Sequence, residues 1–308
     1  MILGDAVIFG RGGATPFAYV AVTYPASAIC TCTNGVQTLQ ARDTSGRFIF
    51  CVPSSGTWTV SAANGSDTDS KSVSITQPGR VSTLALHFGA PISALQVGDS
   101  VYMNVNNVRK EFLVVQQGRP SDIYSTTFDD GTILLMKDIY EKKAAHSSDV
   151  NDYGNSTIHS YLNNGFLAMF DADIQSAIKQ VKVPYRSGSG TSKTVTSGES
   201  GLSAKIFLLS MTELGFSESY QPTNEGTKLS YFDSGKGTAA NAKRIAKLNG
   251  SITYWWTRSP YCDNTTKMWL VWTDGSEYWN SCTTSYGIRP ALVLPNTIKL
   301  DDQHNILA

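Results

Sequence analysis

"YWWTRSPYCDNTTKMWLVWTDGSEYWNSCTTSYGIRPALVLP", residues 254–295, holds five of the chain's six tryptophans. Its two ends are apolar: Trp255 and Trp256 on one side, Ile288, Ala291, Leu292, Val293 and Leu294 on the other. Runs of that kind, stopped by Pro260 and Pro295, read as strands of a framework. "KMWLVWTDG" alternates, with Trp269 and Val271 on one face and Leu270 and Trp272 on the other. "TDGS" turns the chain and "EYWNS" brings it back, so the middle is a hairpin. Around it lie rings next to small polar residues. That mixture is what contact surfaces favour, because rings give rigid area at low entropy cost and small polar groups give adaptable hydrogen bonds.

Upstream of this stretch, "VGDSVYMNVNNVRKEFLVVQQG" reads as a hairpin and "TILLMKDIY" as an apolar strand. "STIHSYLNNGFLAMF" places Ile158, Tyr161, Leu162, Phe166, Met169 and Phe170 at helical spacing behind Ser156, a residue suited to an N-cap. "DADIQSAIKQV" and "NAKRIAKL" give two further short helices. Helices mixed with non-sequential strands make an α+β domain. "FGAPIS" at 88–93 separates it from a different region. There, "FAYVAVTY", "GRFIFCV", "GTWTVSA", "KSVSIT" and "VSTLALHF" alternate with the breaks "DTSG", "PSSG", "NGSD" and "QPG". That rhythm is a small β-sandwich. The expected domains are therefore 1–90 and 91–308.

Composition narrows the function. Formal net charge is zero, and only 16% of residues are charged against about 25% in ordinary domains. A nucleic-acid binder would show a basic stripe, so nucleic acid is not an expected partner. Hydrophobic residues make up 41%, which argues for a packed core. No apolar run reaches the ~18 residues of a membrane span. The start, "MILGDAVIFGRGGATPF", lacks the basic and apolar regions of a Sec secretion signal. Five cysteines, Cys30, Cys32, Cys51, Cys262 and Cys282, are an odd number and make no disulfide framework.

"YWWTRSP", "VWTDGS" and "YGIRPALVLP", in this order, together resemble a C-type-lectin-like domain of gut bacteria and their phages. Related domains are the variable proteins of diversity-generating retroelements, and the resemblance covers roughly 91–298. It implies a C-type-lectin fold, akin to that of formylglycine-generating enzymes, holding a variable region at about 255–290. In such proteins a reverse transcriptase rewrites codons, mainly at template adenines, while the scaffold stays fixed. The surface residues implied here are Thr257, Tyr261, Asp263, Asn264, Thr265, Thr266, Lys267, Trp272, Glu277, Tyr278, Trp279, Ser281, Thr283, Thr284 and Ser285. Asparagine template codons cannot yield Trp, Glu, Lys or Met by changing both adenines, so several of these need other codons or are fixed. Trp269 is assigned to the scaffold. "ARDTSGRFIFCVPSSGTWTVSA" resembles immunoglobulin-like modules of the carboxypeptidase-regulatory type, which act as spacers or particle decorations.

Other chemistries find less support. "YQPTN" at 220–224 and "YWNSC" at 278–282 do not complete the carboxylates of a calcium-dependent sugar site. His87, His146, His159 and His304 lie far apart in sequence, and "SGSGTSK" lacks phosphate-loop spacing. Arg258 and Arg289, near prolines on apolar strands, are expected to form internal ion pairs or carbonyl bonds. No metal or cofactor is expected. The resulting expectation is a non-enzymatic protein, on a phage tail, virion or other extracellular surface, that binds a cell-surface receptor protein or glycan. The alternative is a virion decoration or assembly protein using the tryptophan segment as a homo-oligomer interface. A third reading, a formylglycine-generating-enzyme-like oxidase, would need Cys262 and Cys282 as a copper-binding pair.

Overall fold

The structure is a computed structural model that describes residues 16–65 and 67–307. The N-terminal stretch read for a signal lies almost wholly outside the described residues. Among those described, no helix is long and apolar enough to cross a membrane. The chain forms two compact units. Residues up to Ala90 group with Lys299–Asp302 and Leu307, and Pro91–Ile298 groups with Gln303–Ile306.

The first unit contains β1 (Ala18–Thr23), β2 (Ile29–Thr33), β3 (Thr38–Gln40), β4 (Arg47–Val52), β5 (Gly56–Asn64), β6 (Asp67–Ile75) and β7 (Val81–Ala85). They make one sheet of order β4-β1-β7 and another of order β3-β2-β5-β6. Alternation decides what is buried. Val20, Val22, Phe50 and Val52 from the first sheet share a core with Cys30, Cys32, Trp58 and Val60 from the second. Trp58 is fully enclosed, and its indole N–H donates to Ser54 O at 3.1 Å.

The second unit is built on two five-stranded sheets. The first uses β8 (Ser100–Val105), β9 (Val108–Gln117), β10 (Gly131–Met136), β14 (Ile206–Phe207) and β19 (Ala291–Pro295), in the order β14-β19-β10-β9-β8. A short pair, β12 (Val181–Val183) and β13 (Leu202–Ala204), lies between them in sequence. The second sheet uses β11 (Glu141–Ala144), β15 (Trp255–Pro260), β16 (Lys267–Val271), β17 (Glu277–Ser281) and β18 (Ser285–Ile288), ordered β11-β18-β15-β16-β17. Leu113, Ile133, Leu135, Ala291 and Val293 of one sheet meet Trp255, Trp269 and Val271 of the other in a single core.

The α+β expectation is overturned. Strand accounts for 41% of the protein and helix for 10%, so the architecture is mostly β. The helices are single turns: α1 (Thr157–Tyr161), α2 (Ala172–Ala177) and α3 (Thr238–Ala242). The physical reason lies in side chains that draw the backbone elsewhere. Ser156 caps α1 as expected, accepting from His159 N at 3.0 Å. The next turn then widens into a π-helix over Leu162–Phe166 and tightens again at Leu167–Met169. Asn163 causes the change of winding, bonding His159 O and Ile206 O through its amide N and Lys205 N through its oxygen. "NAKRIAKL" stops after α3 because the Arg244 guanidinium is held by the carbonyls of Leu214, Asp233 and Gly235. Its own carbonyl accepts from the Trp255 indole at 3.0 Å.

Candidate ligand-binding surface

The strand β15 is the floor of the site, and every residue in it is buried. Trp256 Nε1 donates to Lys143 O at 3.1 Å, matching the bond that Trp255 makes. Arg258 forms the expected internal ion pair: its Nη2 and Nη1 lie 2.7 and 2.5 Å from the two oxygens of Glu213. Pro184 O and Leu208 O take further guanidinium protons at 2.9 and 2.8 Å. Burial works against the Arg258 charge, but Glu213 outweighs it and the guanidinium stays ionised. Ser259 donates to Glu225, whose carboxyl burial pushes above its usual range. Arg289, likewise enclosed, donates to Met136 O at 2.9 Å. These groups are framework. None faces solvent.

On this floor stands the hairpin β16–β17. Lys267 pairs with Ser281, Trp269 with Trp279 and Val271 with Glu277. Its turn requires Gly275, at φ 81°, because a Cβ there would lie 2.1 Å from Asn241 O. Asp274 Oδ1 closes the turn by accepting from Ser276 N at 2.9 Å. The ladder ends with Trp272 N donating to Ser276 O at one end and Cys282 N donating to Thr266 O at the other. Hydrogen-bonded pairs alternate along an antiparallel ladder, so Tyr278 and Asn280 turn their backbone groups inward while Glu277 and Trp279 turn theirs outward. β17 is an edge strand, open on that side.

An unbroken line of rings wraps this edge. Tyr220 meets Tyr261 at 5.4 Å, Tyr261 stacks on Trp279 at 5.0 Å, and Trp279 lies parallel to Tyr278 at 5.7 Å. Tyr278 meets Trp272 at 4.5 Å, Trp272 meets Tyr254 at 4.3 Å, and Tyr254 meets Tyr286 at 5.4 Å. The rings touch one another, which makes a platform rather than a cage around a cavity. Charged groups guard it. Lys267 Nζ stands 3.7 Å over the Trp279 ring, and Lys236 bridges Glu277 and Glu218.

The expected surface residues fall into three groups. Asp263, Thr265, Thr283 and Ser285 are exposed, and Asn264, Thr266, Ser281 and Thr284 are half-buried. All eight sit at one end of the hairpin. Ser281 and Thr283 donate to Asp149 there, and Asn264 Oδ1 accepts from Thr266 N. Trp272, Glu277 and Tyr278 occupy the other end, roughly 13 Å away at 3.3 Å per strand residue. Lys267, paired with Ser281, belongs to the first end, and Trp279 lies between. Thr257 and Tyr261 are corrections, because both are interior, at 0% and 8% exposure. Thr257 Oγ1 donates to Trp269 O at 2.8 Å across a bulge in β15, and neighbouring rings enclose Tyr261. Trp269, assigned to the scaffold, is interior at 5% exposure and packs in the core.

Three contributors were missing from the expected set: Tyr220, Tyr254 and Asn280. Tyr220 stands in "YQPTN", where only a calcium motif was sought. Asn280 Nδ2 donates to Tyr286 OH at 2.6 Å and pins that ring. The two cysteines of the oxidase reading are enclosed. Burial pushes the Cys262 thiol up to about 11 and the Cys282 thiol up to about 12, so both are protonated at neutral pH. Among the described residues, no three His, Cys, Asp or Glu side chains converge as metal ligands would.

Residues 130–296 match a family described as a domain of unknown function, DUF6273. The chain belongs to that family. The DUF6273 region runs from the start of β10 to just beyond β19, so it contains the floor, the hairpin and the line of rings. The first unit lies outside it. No curated protein matches the chain.

Proposed function

We propose that this DUF6273 protein is a non-enzymatic binding protein whose second unit presents the edge of β17, with its rings and flanking polar loops, to a cell-surface receptor or glycan. One observation carries this reading. The indole N–H groups of Trp255, Trp256 and Trp269 all donate to backbone carbonyls. Those of Trp272 and Trp279 donate to no protein atom among the described residues, and Tyr278 beside them is 41% exposed. Half-exposed rings with unspent donors, on a rigid strand, suit a ligand that needs both stacking and hydrogen bonds. The resemblance to variable proteins of diversity-generating retroelements supports the same reading and suggests a phage tail or other extracellular surface.

Labelled protein applied to intact bacteria and to a glycan array tests it. Tyr278→Ala and Trp272→Ala are expected to reduce binding more than tenfold with little change in melting temperature. Variants that bind like the wild type would remove β17 from the site, and a wild type that binds nothing would end the reading. The outward backbone groups of Glu277 and Trp279 favour one competing role, strand-to-strand assembly of copies of the chain. Light scattering on the same samples separates the two, since assembly predicts oligomers that the Trp272→Ala variant loses.

A further inference from the structure

Resting on that binding reading, we propose that the cleft beside Tyr220 takes an acidic saccharide, a hydroxyl-rich ring bearing one carboxylate. The cleft encloses about 420 Å³ between the segments 212–224 and 228–235, with Lys193 on its rim. Its wall is polar where a pocket for an apolar ligand would be lined by aliphatic and aromatic side chains. The hydroxyls of Ser217, Ser219, Thr223 and Ser234 border it and make no hydrogen bond to protein among the described residues. A hydroxyl both donates and accepts, so this wall can match the hydroxyls of a sugar in either sense. Gln221 stiffens it, donating to Phe216 O at 3.1 Å and Thr212 Oγ1 at 3.2 Å while accepting from Glu218 N at 3.0 Å.

Charge selects the acid. Two lysines line the cleft, Lys193 and Lys228, against one carboxylate, Glu218, which shares the Lys236 ammonium with Glu277. Lys228 Nζ spends one proton on Phe232 O at 2.8 Å and keeps two. Lys193 forms no ion pair among the described residues, and its Nζ stands 5.9 Å from the centre of the Tyr220 ring. Tyr220, beside the cleft, is 44% exposed, and its backbone carbonyl accepts from Cys262 N at 2.7 Å and from the Trp269 indole at 3.2 Å. A pyranose in the cleft presents its hydroxyls to this wall and its carboxylate to Lys193. Because Lys236 also holds Glu277, the wall of the cleft is tied to β17 through Glu218.

Calorimetric titration of the full chain with N-acetylneuraminic acid, glucuronic acid and galactose tests the assignment. Both acids are expected to bind at least tenfold more tightly than galactose, with the difference shrinking as salt rises. Lys193→Met should lower the affinity for the acids about tenfold, equivalent to about 1.4 kcal/mol, and leave galactose unchanged. Ser217→Ala combined with Ser219→Ala should weaken all three. Equal binding of galactose and the acids, or full affinity in Lys193→Met, overturns the assignment. Failure of all three sugars in a protein that still adheres to cells through β17 overturns the cleft alone. Failure of both overturns the binding reading with it.

Discussion

Two strands of one sheet, β15 and β17, are comparably rich in tryptophan and tyrosine neighbours, yet one is interior and the other is an edge. In β15 each indole N–H reaches a backbone carbonyl, and the only charge, Arg258, meets a carboxylate and two carbonyls. Along β17 the rings meet mainly other rings, Lys267 leans over Trp279 from outside, and Lys236 holds Glu277. Aromatic content by itself therefore does not distinguish core from contact surface. The fate of the polar atom on each ring does, because an enclosed donor must be satisfied and a solvated one need not be.

The largest test of this contrast is Glu213→Leu. It leaves the Arg258 guanidinium enclosed without its carboxylate, and breaking a buried pair costs about 3–5 kcal/mol. Urea unfolding should show that loss in the midpoint. A change below 1 kcal/mol would mean the pair is solvated and β15 is not a rigid floor. A sharper test replaces single indoles by phenyl rings. Trp256→Phe removes the partner of Lys143 O, a partly buried acceptor, and should cost about 1–3 kcal/mol for the unpaired group besides the lost ring volume. Trp272→Phe and Trp279→Phe remove donors that no protein atom uses, so stability should stay within about 0.5 kcal/mol of the wild type. Equal losses in all three would erase the distinction on which the binding surface depends.

Much of this was legible in the residues, and the failures have physical causes. "GRFIFCV" and "GTWTVSA" became β4 and β5, because alternation and turn residues act locally. The β16–β17 hairpin was equally plain from "KMWLVWTDGSEYWNS". Helical spacing in 156–170 was real, but periodicity carries no information on what Asn163 bonds across the fold. The resulting change of winding leaves only one α-helical turn. In the site, Trp269 is interior as its scaffold assignment expects, although alternation does not explain it, since Leu270 on the opposite face is buried too. Thr257 and Tyr261 were misplaced because polar loop neighbours suggested exposure. Tyr261 is enclosed by Trp269 and Trp279 across the hairpin and by Tyr220, some forty residues upstream, on a loop that local reading could not bring to its side. The cleft was illegible for the same reason, being assembled from segments around Lys193, Thr212 and Ser234.

The smallest expected effect separates the helical segment from both strands. His159 sits in α1 with its ring 5.4 Å from Tyr153, and burial lowers its pKa from the ordinary 6.5. With the folded value depressed, the unfolded chain binds the proton first as pH falls. The stabilisation is therefore fully present above 6.5 and is lost as pH drops through 6.5 toward the folded value. Glu225 works in the opposite direction: its raised pKa favours the folded state at low pH and withdraws that support as pH rises through the folded value. The raw pH profile thus mixes two signs, and the useful quantity is the difference between wild type and His159→Gln. Between pH 7 and 5 that difference should move against the wild type, because only the wild type carries an imidazole that must stay neutral. A difference that is flat across this window would mean the ring is solvated. α1 would then be a loose cover over the sheet, while the contrast between β15 and β17 would stand untouched.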